Sequence, residues 1–118
     1  MKDLELLTID KLSNLTPKEC MPWEKESQFQ TYLINILKEL YEEDIWFTKV
    51  SDRYITGVPD IIGCISGHFF ALELKREEGK PSKLQEYNIE LIKKAGGKAC
   101  VIRTVKEALE IMLTILRM

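Results

Sequence analysis

The chain has 118 residues, 45% of them apolar and 31% charged, with a formal net charge of −2. That length suits one domain around one core and excludes two ordinary ones. No apolar run approaches the roughly 18 residues of a membrane helix, and the acidic opening Met1-Lys2-Asp3-Leu4-Glu5 lacks the apolar stretch of a secretory signal. A cytoplasmic protein with no membrane partner is expected. Cys20, Cys64 and Cys100 are scattered, and His68 is the single histidine. They are expected to be reduced, mostly buried thiols, not a disulfide framework or a zinc centre. The net charge speaks mildly against nucleic acid. From residue 75 to 98, however, Lys75, Arg76, Lys80, Lys83, Lys93, Lys94 and Lys98 outnumber Glu77, Glu78, Glu86 and Glu90.

In chain order, residues 1–22 read as an N-terminal extension, and residues 23–118 as the domain proper. In the extension, Leu4, Leu7, Ile9 and Leu12 suit a short helix, and Thr16-Pro17-Lys18-Glu19 a capped turn. From about residue 24, Phe29, Tyr32, Leu33, Ile36, Leu37, Leu40 and Tyr41 follow the spacing of an amphipathic helix. Residues 45–50 are rich in β-formers and predict a strand, and 51–57 a polar loop. A second strand spans 60–65, Ser66-Gly67 is a hairpin turn, and 68–76 is a third strand.

Glu78-Gly79-Lys80-Pro81 breaks the chain. Ser82-Lys83-Leu84-Gln85 matches a capping box and opens a helix with Leu84, Tyr87, Leu91, Ile92 and Ala95 on one face. Gly96-Gly97 ends it, 98–103 is a fourth strand, and Thr104 caps a last helix. That helix carries one stripe of Val105, Ala108, Leu109, Met112 and Leu116, with Ile111, Ile115 and Met118 to the side. An excess of this kind is buried on two sides, either by the N-terminal extension or by a second copy in a homodimer. The order αβββαβα predicts an α/β fold with a mixed central sheet flanked by helices.

The third strand carries the chemistry. Alternation places Phe70, Leu72 and Leu74 on one face and Glu73 and Lys75 on the other. An E-x-K pair alone is common, and an incidental salt bridge at a strand end explains it. The neighbouring strand adds to it. Counted outward from the turn, Ile65 faces about His68 and Asp60 falls opposite about Glu73. Two carboxylates and an ammonium then converge, and hard oxygen ligands with open positions suit Mg²⁺. On the first long helix, Glu26 lies roughly 35° from the centre of the apolar stripe and Glu24 on the opposite side. An acid there needs a partner or a metal; the plainer reading is a helix-start glutamate at the positive end of the dipole. Gln85 is already accounted for by the capping box.

Pro59-Asp60 followed by Glu73-Leu74-Lys75 resembles the PD-(D/E)xK nuclease motif, and most closely its VRR-NUC branch, the virus-type replication–repair nucleases. Glu26, the glycine of Gly57-x-Pro59-Asp60, and Gln85 agree with that branch. The resemblance covers roughly residues 24–110. It implies a restriction-endonuclease-like αβββαβ core with an extra C-terminal helix, and a metal-dependent DNA endonuclease. It also implies that Asp60, Glu73 and the Leu74 backbone carbonyl hold Mg²⁺ (with Mn²⁺ substituting), and that Glu26 supports the water or a second ion. Lys75 would activate the water and Gln85 hydrogen-bond within the site. Products would be a 5′-phosphate and a 3′-hydroxyl, with no small-molecule cofactor. Stand-alone members resemble Holliday-junction resolvases and can act as homodimers, so branched DNA is the expected substrate, and a DNA-repair role in a phage or prophage fits.

Lys49, Arg53, Arg76, Lys80 and Lys83 are candidate phosphate contacts, and Tyr54 could stack on an unpaired base. Two other classes stay open: a non-catalytic nucleic-acid-binding module that retains the nuclease fold, and a protein-interaction domain, for which the slight acidity speaks.

Overall fold

The fold is that of a computed structural model, which describes residues 3–50 and 56–118. Helix α1 (Leu4–Leu12) starts on Asp3, whose carboxylate accepts the Leu6 N–H at 3.0 Å. A 3₁₀ turn at Pro17–Cys20 follows. Helix α2 (Glu26–Tyr41) buries Phe29, Leu33, Leu37 and Tyr41, the i, i+4, i+8, i+12 positions of its apolar stripe. A short 3₁₀ turn at Glu42–Asp44 leads into strand β1 (Ile45–Lys49). Strands β2 (Ile61–Ile65) and β3 (His68–Leu74) form the expected hairpin, with Ser66 and Gly67 at positive φ in the turn. Helix α3 (Lys83–Lys94), strand β4 (Lys98–Ile102) and helix α4 (Val105–Leu116) complete the chain.

Among the described residues the strands form one sheet in the order β1-β2-β3-β4. The first two pairings are antiparallel, while β3 and β4 run parallel across the α3 crossover. This is the mixed α/β sheet that the element order predicted. One face carries Ile61, Ile65, Phe70, Leu72, Leu74 and Ile102, packed against α2 and α4 in the main core. The other carries Ala71 and Ala99, which meet Ile89 of α3 in a smaller cluster edged by Ile62, Ile92 and Val101. No helix of the described residues is long and apolar enough to cross a membrane.

Two expectations are corrected. The covered face of α3 is not Leu84-Tyr87-Leu91-Ile92-Ala95. Leu84, Tyr87 and Leu91 are exposed, as is Ala95, and Ile89 is the buried residue. The apolar stripe loses because the inward face is committed to polar bonds from Gln85 and Asn88, and only Ile89 and Ile92 share that face. The thiols are not mostly buried, since Cys20 and Cys64 are exposed and Cys100 is half-buried; all three are free. The second apolar side of α4 is covered from within the chain, because α1 packs along α4 and Leu4 and Leu12 join the core around Ile111, Ile115 and Leu116. This is the first of the two alternatives, cover by the N-terminal extension, with Met118 left exposed.

Candidate active site

The hairpin register sets the site. Ile61 pairs with Leu72 and Ile65 with His68, so the position before Ile61 falls opposite Glu73. Asp60 and Glu73 therefore leave the sheet on the same side, the side covered by α3, while Leu72 and Leu74 point into the main core. Asp60 is fastened twice. Its backbone carbonyl accepts the Val50 N–H at 2.8 Å, and its carboxylate Oδ2 accepts the Leu74 N–H at 2.9 Å.

Glu73 is 1% exposed. Its Oε2 accepts a hydrogen bond from Gln85 Nε2 at 3.0 Å and lies 3.3 Å from Lys75 Nζ. Its Oε1 is buried with no hydrogen-bond partner. Lys75 follows the end of β3 and donates its backbone N–H to Ile102 of β4, which holds the residue in line with the strand. Gln85 serves two ends. Its Oε1 accepts the Ser82 N–H at 2.8 Å in the capping box while its amide nitrogen reaches Glu73. The two readings of Gln85 thus coexist.

The electrostatics follow from this crowding. Burial, then the negative charge of Asp60, push Glu73 up to about 7, against the pull of Lys75. Burial likewise raises Asp60; the Leu74 N–H, Glu73 and Lys75 oppose that shift, and the charge of Glu26 adds to it. The pair titrates as a unit and keeps a proton that separate carboxylates would release.

Glu26 opens α2 and is exposed, not core-facing as its place on the helical wheel implied. It precedes the first buried turn, so its direction on the helix leads past the sheet and not into the core. It still faces the site: its Oε1 would lie 3.4 Å from a Cβ on Gly79, and its charge is felt at Asp60. Among the phosphate-contact candidates, Arg76, Lys80 and Lys83 are exposed around the exit of β3 and the start of α3. Arg76 lines a cleft of about 270 Å³ with Trp23 and Glu24. Lys49 is placed differently. It pairs with Ile61 at the end of β1, so its side chain leaves on the opposite face from Asp60 and Glu73. Arg53 and Tyr54 lie outside the described residues.

Two contributors were missed in the sequence. Arg103 pins the loop after β3 through Nη2 to the Gly79 carbonyl at 2.6 Å and Nε to the Glu77 carbonyl at 3.3 Å. Asn88 donates to the Gly57 carbonyl at 3.1 Å. Its spacing from Gln85 (i, i+3) was the available signal.

Asp60 and Glu73 could hold a hard divalent cation. Two mutually repelling carboxylates, one with an orphaned buried oxygen, are relieved by a positive ion. In an extended strand the N–H and C=O of one residue point the same way, so the Leu74 carbonyl turns to the same side as the amide bound by Asp60. Among the described residues no group of three or more His, Cys, Asp or Glu forms a closed cage. An open set of this kind suits Mg²⁺, which keeps several waters.

No protein-family model matches the chain, and no curated protein matches it. Solved structures do. One described as "VRR_NUC domain" is 25% identical, with a TM-score of 0.58 over 75% of this chain and 94% of that one. Another, "VRR_NUC domain protein", is 17% identical, with a TM-score of 0.67 over 82% of this chain and 92% of that one. Fold and neighbours together define a nuclease-type domain of restriction-endonuclease-like architecture. Within that class the chain is most readily likened to VRR-NUC domains, the description that both solved structures carry.

Proposed function

We propose that this domain is a divalent-metal-dependent DNA endonuclease, selective for branched DNA such as a Holliday junction. The observation that carries the reading is the convergence of Asp60, Glu73 and Lys75, with Lys75 Nζ 3.3 Å from Glu73 and one Glu73 oxygen left without a partner. The N-terminal segment 1–22 is read as an extension packed on a nuclease domain of residues 23–118.

Asp60, Glu73 and the Leu74 carbonyl would hold Mg²⁺ or Mn²⁺, and Glu26 is the candidate support for a second ion or a water. When bound, such an ion supplies Lewis acidity and lowers the pKa of coordinated water. The protein's own groups do the rest. Gln85 fixes the Glu73 carboxylate, and Glu73 fixes the Lys75 ammonium. Lys75 orients the attacking water and offsets charge developing on the phosphate. Water adds to phosphorus, the P–O3′ bond breaks, and a 5′-phosphate and a 3′-hydroxyl remain. Arg76, Lys80 and Lys83 hold the backbone by charge without reading sequence, and Lys49 and Arg53 are further candidates. Cutting both strands of a junction calls for two sites and hence two copies.

The test is a panel of labelled junction, flap, duplex and single-stranded DNA, incubated with Mg²⁺ or Mn²⁺ and with EDTA. Cleavage with metal, fastest on the junction and absent in EDTA, is expected. Salt-dependent binding without cutting would leave a nucleic-acid-binding module, and no salt-dependent binding at all would leave an interaction domain.

A further inference from the structure

We propose that Asn88 is a positioning residue for the carboxylate pair: it pins the Gly57–Asp60 turn to α3 and so keeps Asp60 against Leu74 and Glu73. Its consequence for metal binding rests on the nuclease reading above; its geometry does not.

The amide nitrogen of Asn88 donates to the Leu84 carbonyl at 3.0 Å and to the Gly57 carbonyl at 3.1 Å. The first bond holds the side chain on its own helix, and the second reaches across to the turn that delivers Asp60. Gly57 lies hard against that helix. Its φ is +83°, and a Cβ there would fall 2.5 Å from Leu84 Cγ and 2.8 Å from Asn88 Nδ2. Glycine is therefore required twice, by conformation and by space. Between Gly57 and Asp60 stand only Val58 and the buried Pro59 with its fixed φ, so the turn has little slack.

One helical turn earlier, Gln85 holds Glu73. Residues at i and i+3 share a helix face, so a single face of α3 grips the approach to β2 with Asn88 and the end of β3 with Gln85. The two carboxylates come from separate strands, and the strand pairing stops at Ile61 and Leu72. Beyond that rung, Val50 holds the Asp60 backbone, and the Asp60–Leu74 bond and the two amide contacts from α3 act on the separation of the pair. Without the Asn88 donor, the Gly57 carbonyl loses its tie and that end of the turn is free to lift, leaving the Val50 N–H to hold the Asp60 backbone.

The experiment uses the whole chain with Asn88→Leu, which keeps volume and removes the donor, and Asn88→Asp, which keeps shape and removes the donor in a more soluble form. Amide hydrogen exchange of the metal-free protein is followed at Leu74, whose N–H is bound by Asp60, and at Lys75, whose N–H is bound by Ile102. Exchange at Leu74 is expected to rise at least ~10-fold while Lys75 stays protected. By calorimetric titration, Mn²⁺ affinity is expected to fall about 10–100-fold, as when outer-shell partners are removed. Unchanged protection at Leu74 in both variants, or a rise shared equally with Lys75, overturns the proposal. So does unchanged Mn²⁺ affinity where the unmutated protein binds the ion. If the unmutated protein binds no Mn²⁺, the metal-nuclease reading fails, and the Leu74 exchange still decides the role of Asn88.

Discussion

The carboxylate of Asp60 accepts the N–H of Leu74 at 2.9 Å, beyond the last paired rung of β2 and β3. A side chain thus takes the place of the next ladder bond, which holds an ionisable group where an ordinary sheet would hold a carbonyl. Asp60→Asn keeps an oxygen for that amide and removes the charge that opposes Glu73. In the metal-free protein near pH 8, the variant is expected to be more stable than the parent by about 1 kcal/mol or more, read by urea denaturation. Its cleavage with Mg²⁺ should fall beyond the roughly 10–100-fold that follows loss of an outer-shell group. Lys75→Ala should also abolish cutting with the fold intact, since Lys75 touches Glu73 at the edge of the site. An Asp60→Asn protein that cuts as well as the parent removes the acid from the reaction.

Stability should respond to pH through Glu73. The folded protein holds that proton up to about 7, whereas the unfolded chain releases it near the ordinary 4.5. Between those values the folded state binds more protons, so the metal-free protein loses stability as pH rises through the window. The ceiling is on the order of 3 kcal/mol. A divalent ion held by the pair, as proposed, would take the place of the proton, so added Mg²⁺ should raise Tm strongly near pH 8 and little near pH 5. A metal-free Tm flat across this window, with no Mg²⁺ effect at either end, would contradict the paired burial of Asp60 and Glu73.

Much of this arrangement was legible in the sequence because strands have a period of two and a two-residue turn fixes register. With Ser66-Gly67 as the turn, the pairing of Ile65 with His68 follows, and Asp60 lands opposite Glu73 by counting. The capping box at Ser82 fixed the start of α3 for the same local reason. Less legible was anything decided by what lies across from an element. Leu84, Tyr87 and Leu91 spell an apolar face, but α3 turns Gln85 and Asn88 inward because Glu73 and Gly57 need their donors. Glu26 looked core-facing on the wheel, yet a wheel carries no information on where the core ends along the helix axis. The side stripe of α4 fitted α1 and a second copy equally well, and only the packing of α1 separates them.

Glu26 and Glu24 provide a paired control within one turn of chain. Glu26 raises the pKa of Asp60 by its charge and approaches Gly79 beside the end of β3. Glu24 lines the cleft with Trp23 and Arg76. Glu26→Ala is expected to slow metal-dependent cleavage about 10–100-fold, and Glu26→Gln to let Asp60 ionise at lower pH. Glu24→Ala should change the rate little. Equal damage from both alanine variants, measured on the same junction substrate, would remove the distinction between the two faces of the helix start.

Glu19 anchors the N-terminal segment by a different use of a buried charge. It is fully buried and accepts the Thr16 N–H at 2.8 Å, Lys11 Nζ at 3.0 Å and the Tyr32 hydroxyl at 3.0 Å. Burial alone would raise its pKa, but the donors from Thr16, Lys11 and Tyr32 outweigh it and leave the group below its ordinary value. A depressed carboxylate contributes stability above its unfolded value and loses it as pH falls through the folded one. Glu19 therefore acts below the window of Glu73, with the opposite sign. Glu19→Gln is expected to cost about 1.5–3 kcal/mol near pH 7, the range for hydrogen bonds to a charged group, and Tyr32→Phe about 1 kcal/mol. The Glu19→Gln deficit should shrink as pH falls through the lowered folded value of Glu19, where the parent loses its own charge. Because Lys11, Thr16 and Tyr32 lie on α1, the following turn and α2, the loss should also loosen α1 from α4, read as faster amide exchange in α1. A deficit that holds constant to low pH would assign the effect to packing at residue 19 and not to its charge.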